Sequence, residues 1–326
     1  MAGGQERALK RRIKSVQSTK KITRAMELIA ASRIVKAQNR LAAARPYADK
    51  ITDVLRNLQS AGASTDHPLL RAPEQRRKIG YVVVTADRGL AGGYNASVVR
   101  VAELAIKDDL AAGRTPVLYV VGKKGAAALT YKNYDIAQKF IGFSDNPRYE
   151  HAKAIAGAAV RAFEAGDLDE INLIYTQFVS FGTQRVVQKR FVPLEQTITD
   201  GAVTTHADRV IDYEYEPSPS DILTSLIPRY VESRLYAMLL DAAASEHAAR
   251  QRAMKAATDN ADDLAKVLTR AMNRARQEAI TTEIMEIVGG AEALVSEEAH
   301  DLFGTDSGLV EVERERIQRQ HAHDLH

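Results

Sequence analysis

The sequence contains no cysteine, which excludes disulfides, thiolate metal sites, iron–sulfur clusters and cysteine nucleophiles together. It also lacks long apolar runs. The longest, such as Tyr81 to Val84 and Val117 to Val121, fall far short of the roughly 20 residues that a membrane-spanning helix needs. The start, Met1 to Lys14, is charged and has no apolar h-region, so a secretory signal is not expected. Any membrane association is then expected to come through a partner. Glycine is absent from Asp221 to Val288, and proline occurs there only at Pro228. None of the eight histidines (His67, His151, His206, His247, His300, His321, His323 and His326) lies in an HExxH pattern, so no metal site is expected. Nor does any acid, base and nucleophile set converge, and no catalytic residue is expected.

What is present is a chain of 326 residues with 45% hydrophobic content, enough for a sizeable core. That length favours two structural units over one. Net charge is only +3, but residues 1–58 carry 14 Lys and Arg against Glu6, Glu27, Asp49 and Asp53. One end is basic and the rest mildly acidic, which implies an acidic partner surface.

From Ala30 the apolar positions run Ala30, Ile34, Ala37, Leu41, Ala44, Ala48, Ile51, Leu55 and Leu58, in alternating steps of four and three. That spacing keeps one stripe facing a partner helix. Upstream the same slots hold Leu9, Ile13 and Val16 and then Lys20, Thr23 and Glu27, while Ile22, Met26 and Ile29 form a displaced stripe. Either a shift of the seam or a change in its environment is expected there. A helix over residues 6–58 would be about 80 Å long, so it must project or pair lengthwise.

Beyond a linker at 62–78 the texture becomes alternating. Strands are expected at Ile79–Thr85, Pro116–Val121 and Ile171–Phe178, with an edge strand at Val186–Val192. Helices are expected at 96–112, 122–131 and 149–165. The pattern predicts a mostly parallel, Rossmann-like α/β domain over 79–193. Gly89, Gly92 and Gly93 match neither phosphate-loop spacing, and a tight turn with Asn95 as N-cap accounts for them. No cofactor is expected. A polar, acidic linker at 194–219 ends in Pro217-Ser218-Pro219. Ser220 is the expected N-cap of a second long helix, 220–290, in which Leu264, Leu268, Ala271 and Ala275 repeat the four-three-four spacing and Ala242 to Ala265 is rich in alanine. The predicted fold is therefore α/β: a long antiparallel coiled coil of the terminal helices (1–61 and 220–290), a central Rossmann-like domain, and an extra tail at 291–326.

Three segments carry a family resemblance. They are LKRRIKSVQSTKKITRAMELIAASRIVKAQ from Leu9, VTADRGLAGGYN from Val84, and ATDNADDLAKVLTRAMNRARQEAITTEIMEIVGGAEAL from Ala257. Together the chain resembles the gamma subunits of rotary F-type ATP synthases over residues 5–294. The resemblance implies a non-catalytic central shaft, turned by the proton-driven membrane c-ring. It also implies partners: the alpha and beta subunits of the hexamer, the epsilon subunit and the c-ring. The location implied is the cell membrane, peripherally on the cytoplasmic side. Lys20, Lys21, Arg24 and Met26 match positions that touch an acidic loop of beta. Arg276, Gln277, Thr281 and Glu283 match hexamer contacts of the C-terminal helix. The tail from Val295, with Gly289 and Gly290 ending the helix before it, is expected to be solvated and passive.

The rival reading is a basic coiled-coil DNA-binding protein, since KRRIKSVQSTKKITR followed by heptads imitates a basic region joined to a zipper. The alanine-rich seam argues against a parallel zipper, and nucleic acid is not an expected partner.

Overall fold

The computed structural model describes residues 2–60, 67–70, 73, 75–194 and 216–303. Contacts divide the chain into two bodies: residues 20–259, and residues 1–19 together with residues from 260 onward.

The larger body is built on a five-stranded sheet. Its strands are β1 (Lys78–Val84), β2 (Thr115–Val121), β3 (Ile136–Phe140), β4 (Glu170–Phe178) and β5 (Gln184–Val192), in the order β3-β2-β1-β4-β5. Helices α2 (Tyr94–Ala111), α3 (Lys123–Tyr131) and α4 (Tyr149–Glu164) connect them. β1 pairs in parallel with both β2 and β4, β2 with β3, and only β5 runs antiparallel. Central β1 is buried from Ile79 onward, as a strand covered on both faces must be. Alternate residues go to opposite sides. Val82, Tyr119 and Leu173 face a core shared with α4 and the two long helices. Val83, Val120 and Ile174 face α2 and α3.

The long helices are α1 (Ala2–Ser60) and α5 (Pro219–Phe303). Within the larger body they run antiparallel: Thr23 meets Thr258 through a 2.8 Å hydroxyl bond, while Ile51, Leu55 and Leu58 join Leu223, Ile227 and Leu235 in one core.

Several expectations are corrected. β3 was not anticipated, because its Ala137, Gln138 and Lys139 are exposed at the sheet edge and leave no apolar run. Asn95 is not the cap of α2. That position is Gly93, and Asn95 Oδ1 instead accepts the backbone N–H of Ala86 at 2.8 Å. Helix α5 is capped by Ser218 rather than Ser220, its Oγ accepting the Asp221 N–H at 3.1 Å ahead of Pro219, the first-turn position proline favours.

Of the two alternatives for α1, the seam does not shift and its environment changes. Thr23 and Glu27 are buried in register with Ala30, Ile34 and Ala37, whereas Ile22 and Ile29 are 59% and 55% exposed. Polar residues hold these slots because each has a partner there: Thr23 bonds Thr258, and Glu27 pairs with Arg24 at 2.9 Å. In the smaller body, the inward stripe of α5 is Ala261, Ala265, Leu268, Met272, Ala275 and Ala279, with Leu264 and Ala271 outside it.

Helix α5 also continues to Phe303, thirteen residues past the expected end at 290. Neither Gly289 nor Gly290 adopts a left-handed φ. Each costs a helix about 1 kcal/mol relative to alanine, and good helix formers on both sides, Met285-Glu286 and Ala291-Glu292-Ala293, outweigh that. The expectations for most of the acidic linker (195–215), part of the first linker, and the tail from Gly304, including His321, His323 and His326, lie outside the described residues. Within the first linker, Leu69 is buried and its carbonyl accepts the Leu194 N–H at 2.8 Å.

Candidate coupling surfaces

Where α5 crosses the carboxyl ends of the strands, its alanines let it lie close to the loop after β1. Ala249 packs on Ala86, Ala91 and Tyr94. Four bonds tie the helix there. Ser245 Oγ donates to Thr176 O at 3.0 Å, the Tyr94 hydroxyl to Ala242 O at 3.2 Å, Arg252 Nη1 to Phe181 O at 2.8 Å, and the Tyr149 hydroxyl to Glu232 Oε2 at 2.7 Å.

At the centre of this junction is a buried polar set. Glu246 and His247 are each 1% exposed and Arg250 is 7% exposed. Arg250 Nη2 donates to Glu246 Oε1 at 2.8 Å and reaches Gly89 O at 3.3 Å. His247 Nε2 lies 3.0 Å from Asp145 O, and its Nδ1 lies 3.4 Å from Arg250 Nη1. A neutral imidazole protonated on Nε2 satisfies both contacts. Asp145 in turn pairs with Arg33 of α1.

The loops receiving the helix are fixed by Asp87. Its carboxylate accepts the N–H groups of Gly142 at 2.8 Å, Ser144 at 3.0 Å and Lys123 at 3.1 Å. Burial opposes its charge, but these bonds prevail and hold its pKa below the usual carboxylate value. Gly122 beside it has φ +93°, and a Cβ there would stand 2.3 Å from Thr85 O, so only glycine fits.

Burial brings the His247 pKa down to about 4; the Asp145 carbonyl opposes this, and Arg250 and Arg33 add to the lowering. A histidine held neutral in the fold contributes stability that is complete above its unfolded value near 6.5. That stability is lost as pH falls from there toward 4. Asp241, raised by burial to about 6, and Glu246, also raised by burial, act in the opposite sense. The His247→Gln comparison isolates the imidazole. Between pH 7 and pH 4 the wild type is expected to lose on the order of 3 kcal/mol more than the variant, read from denaturant midpoints at each pH. Parallel stability curves for the two proteins would refute this assignment.

The residues singled out from the sequence fall into both bodies. In the larger, Lys21 and Arg24 are exposed, Lys20 and Met26 half-buried, and Arg24 bridges to seam residue Glu27. In the smaller, Arg276, Gln277, Thr281 and Glu283 are all exposed, with Thr281 Oγ1 turned back to Gln277 O at 2.9 Å. No group of three His, Asp or Glu among the described residues is placed to hold a metal ion, and no described helix is long and apolar enough to cross a membrane.

Sequence reasoning missed two features. One is the Glu246–His247–Arg250 set, whose only signal is a charged i, i+4 pair inside an alanine-rich stretch. The other is the end of α5, where Ile280, Ile284, Met285, Ile287, Val288 and Leu294 are all exposed, by 48% to 68%. Its signal is an apolar stripe one residue off the seam, about 100° around the helix, as Ile22 and Ile29 are on α1.

A Rossmann-like domain with a long helix seated across its strand ends, and apolar stripes turned away from the internal seam, defines a class of helical subunit made to bear on partners. A family model described as ATP synthase matches residues 5–294. ATP synthase gamma chains from Parafrankia sp. and Frankia casuarinae are 50% and 51% identical over 297 residues, covering 90% of this chain and 99% of each relative. A chain of the Euglena gracilis mitochondrial ATP synthase, solved as the OSCP/F1/c-ring assembly, superposes with a TM-score of 0.63 at 16% identity, over 91% of this chain and 96% of that one. The chain belongs to the ATP synthase gamma family. The DNA-binding reading has no support among these relatives, and its seam is already occupied, since α1 pairs with α5 of the same chain.

Proposed function

We infer that this chain is the central rotor shaft of an F-type ATP synthase, coupling proton-driven rotation of a membrane c-ring to ATP synthesis in a hexamer of alpha and beta subunits. The observation that carries this is α5. One stretch of a single 85-residue helix is fixed to the α/β body by buried bonds, and another presents apolar residues outward. Torque applied to the body is then carried into the stretch of helix that it holds, and the exposed apolar residues meet the hexamer. The shaft is itself non-catalytic. It associates peripherally with the membrane on the cytoplasmic side, through the c-ring and an epsilon subunit. Lys20, Lys21, Arg24 and Met26 bear on an acidic loop of beta. Arg276, Gln277, Thr281 and Glu283 bear on the hexamer from α5.

The test is the assembled complex carrying Lys20→Ala, Lys21→Ala and Arg24→Ala together. Coupling, measured as ATP-driven proton pumping per ATP hydrolysed, is expected to fall several-fold. Stability is expected to fall by only about 1 kcal/mol, mainly because Glu27 loses its partner. Glu27→Gln removes the same ion pair and keeps the cations, so it should pump normally. Unchanged pumping in the triple variant would mean these cations only solvate the helix.

A further inference from the structure

In the larger body, three loops at the carboxyl ends of the strands converge on one carboxylate. Asp87, half-buried after β1, accepts the N–H of Lys123 on Oδ1 and those of Gly142 and Ser144, after β3, on Oδ2. Lys123 opens α3, so its amide is one that a helix start leaves without an internal partner, and negative charge is favoured there. Gly142 has φ +97°, a left-handed backbone that glycine takes without strain. The Asp87 N–H in turn donates to Ser144 Oγ at 2.8 Å. One side chain thus fills a socket of three amides.

What the socket shapes is the loop after β3, and that loop holds both long helices. On α1, Arg33 pairs with Asp145 and Arg40 with Asn146. The two arginines are one heptad apart, about 10 Å along one face of the helix. On α5, His247 Nε2 meets the Asp145 carbonyl at 3.0 Å, and the Ser144 hydroxyl bonds the Glu246 carboxyl. Phe143 is stacked on His151 of α4, with ring centroids 4.0 Å apart, which keeps the loop on the α/β body. The bonds to α1 are partly exposed and each contributes little alone. What matters is that Ser144, Asp145 and Asn146 are presented together, in the one arrangement that meets both helices.

We propose that Asp87 is a positioning residue for coupling: its carboxylate sets the loop after β3 and, through that loop, the seat of α1 and α5 on the α/β body. The seating stands on its own, and its effect on coupling rests on the shaft reading.

Thermal unfolding and hydrogen exchange of the purified full chain test the seating. Asp87→Ala is expected to lower the midpoint by about 5 °C and to speed exchange about tenfold over residues 141–148, 30–40 and 242–252. Added formate, which supplies the lost carboxylate, should restore both, where chloride at equal ionic strength does not. Asp87→Asn keeps an oxygen for two of the three amides and should show a smaller loss of each. In the assembled complex, Asp87→Ala is expected to pump several-fold fewer protons per ATP hydrolysed. Ile106→Ala controls for lost stability: Ile106 is buried in the core between the sheet, α2 and α3, which includes no residue of either long helix. It should lower the midpoint at least as much and pump normally. The proposal is overturned if formate restores no more than chloride, or if exchange in α1 and α5 is unchanged by Asp87→Ala. Normal pumping by Asp87→Ala beside an uncoupled Leu268→Pro would also overturn it, as would an equal loss of pumping in Ile106→Ala. If Leu268→Pro pumps as well, the shaft reading falls and the formate result still decides the seating.

Discussion

Arg250→Ala is expected to destabilise the larger body by about 3–5 kcal/mol, because it leaves the Glu246 carboxylate buried without its cation. Glu246 is 1% exposed and its pKa is already raised by burial, with Arg250 as the main opposing influence. Without the guanidinium, the carboxyl must take up a proton or draw in water, and His247 Nδ1 and Gly89 O lose a donor as well. Denaturant unfolding of the variant should show the loss at pH 7 and a smaller one near pH 5, where Glu246 protonates more readily. The double variant Glu246→Gln, Arg250→Met should recover much of the stability, since a buried ion pair is replaced without leaving a lone charge. An Arg250→Ala protein as stable as wild type would show that the set is incidental to the seating of α5.

Leu268→Pro is expected to abolish coupling in the assembled complex. Leu268 is 8% exposed and belongs to the inward stripe of α5 in the smaller body. Proline there removes the hydrogen bond to the Leu264 carbonyl and forces its ring against that turn, at about 3 kcal/mol or more, and bends the helix. Loss of packing alone is separated by Leu268→Ala, which keeps a continuous helix and deletes the apolar contact. If the helix works as a rod, the alanine variant still pumps protons on ATP hydrolysis while the proline variant hydrolyses ATP without pumping. Normal pumping in the proline variant would end the shaft reading.

The two long helices and most of the sheet were legible in the sequence because each buries a continuous set of apolar residues at its own period. β1 and β2 read directly, since both faces are covered. β3 did not, since an edge strand with exposed Gln138 and Lys139 leaves no pattern to find. The polar stretch Lys20, Thr23 and Glu27 left a shifted seam and a changed environment both open, because hydropathy cannot show that Thr23 finds Thr258 across the helix pair, 235 residues away. The same limit hid the junction: Glu246, His247 and Arg250 look like an exposed charged turn until the loops held by Asp87 are folded over them. The glycines at 289 and 290 looked like a stop because local propensity was read without the helix formers beyond them.

The apolar end of α5 bears on how such a complex is made as well as on how it turns. Six large apolar side chains on one short stretch of helix, from Ile280 to Leu294, stand half or more in solvent, or nearly so. Exposed apolar surface of that kind drives self-association when its partner is missing. A cell that makes this polypeptide in excess of its partners therefore accumulates an adhesive intermediate. Its synthesis gains from being matched to theirs, and the order of assembly is constrained by the need to cover that helix end early.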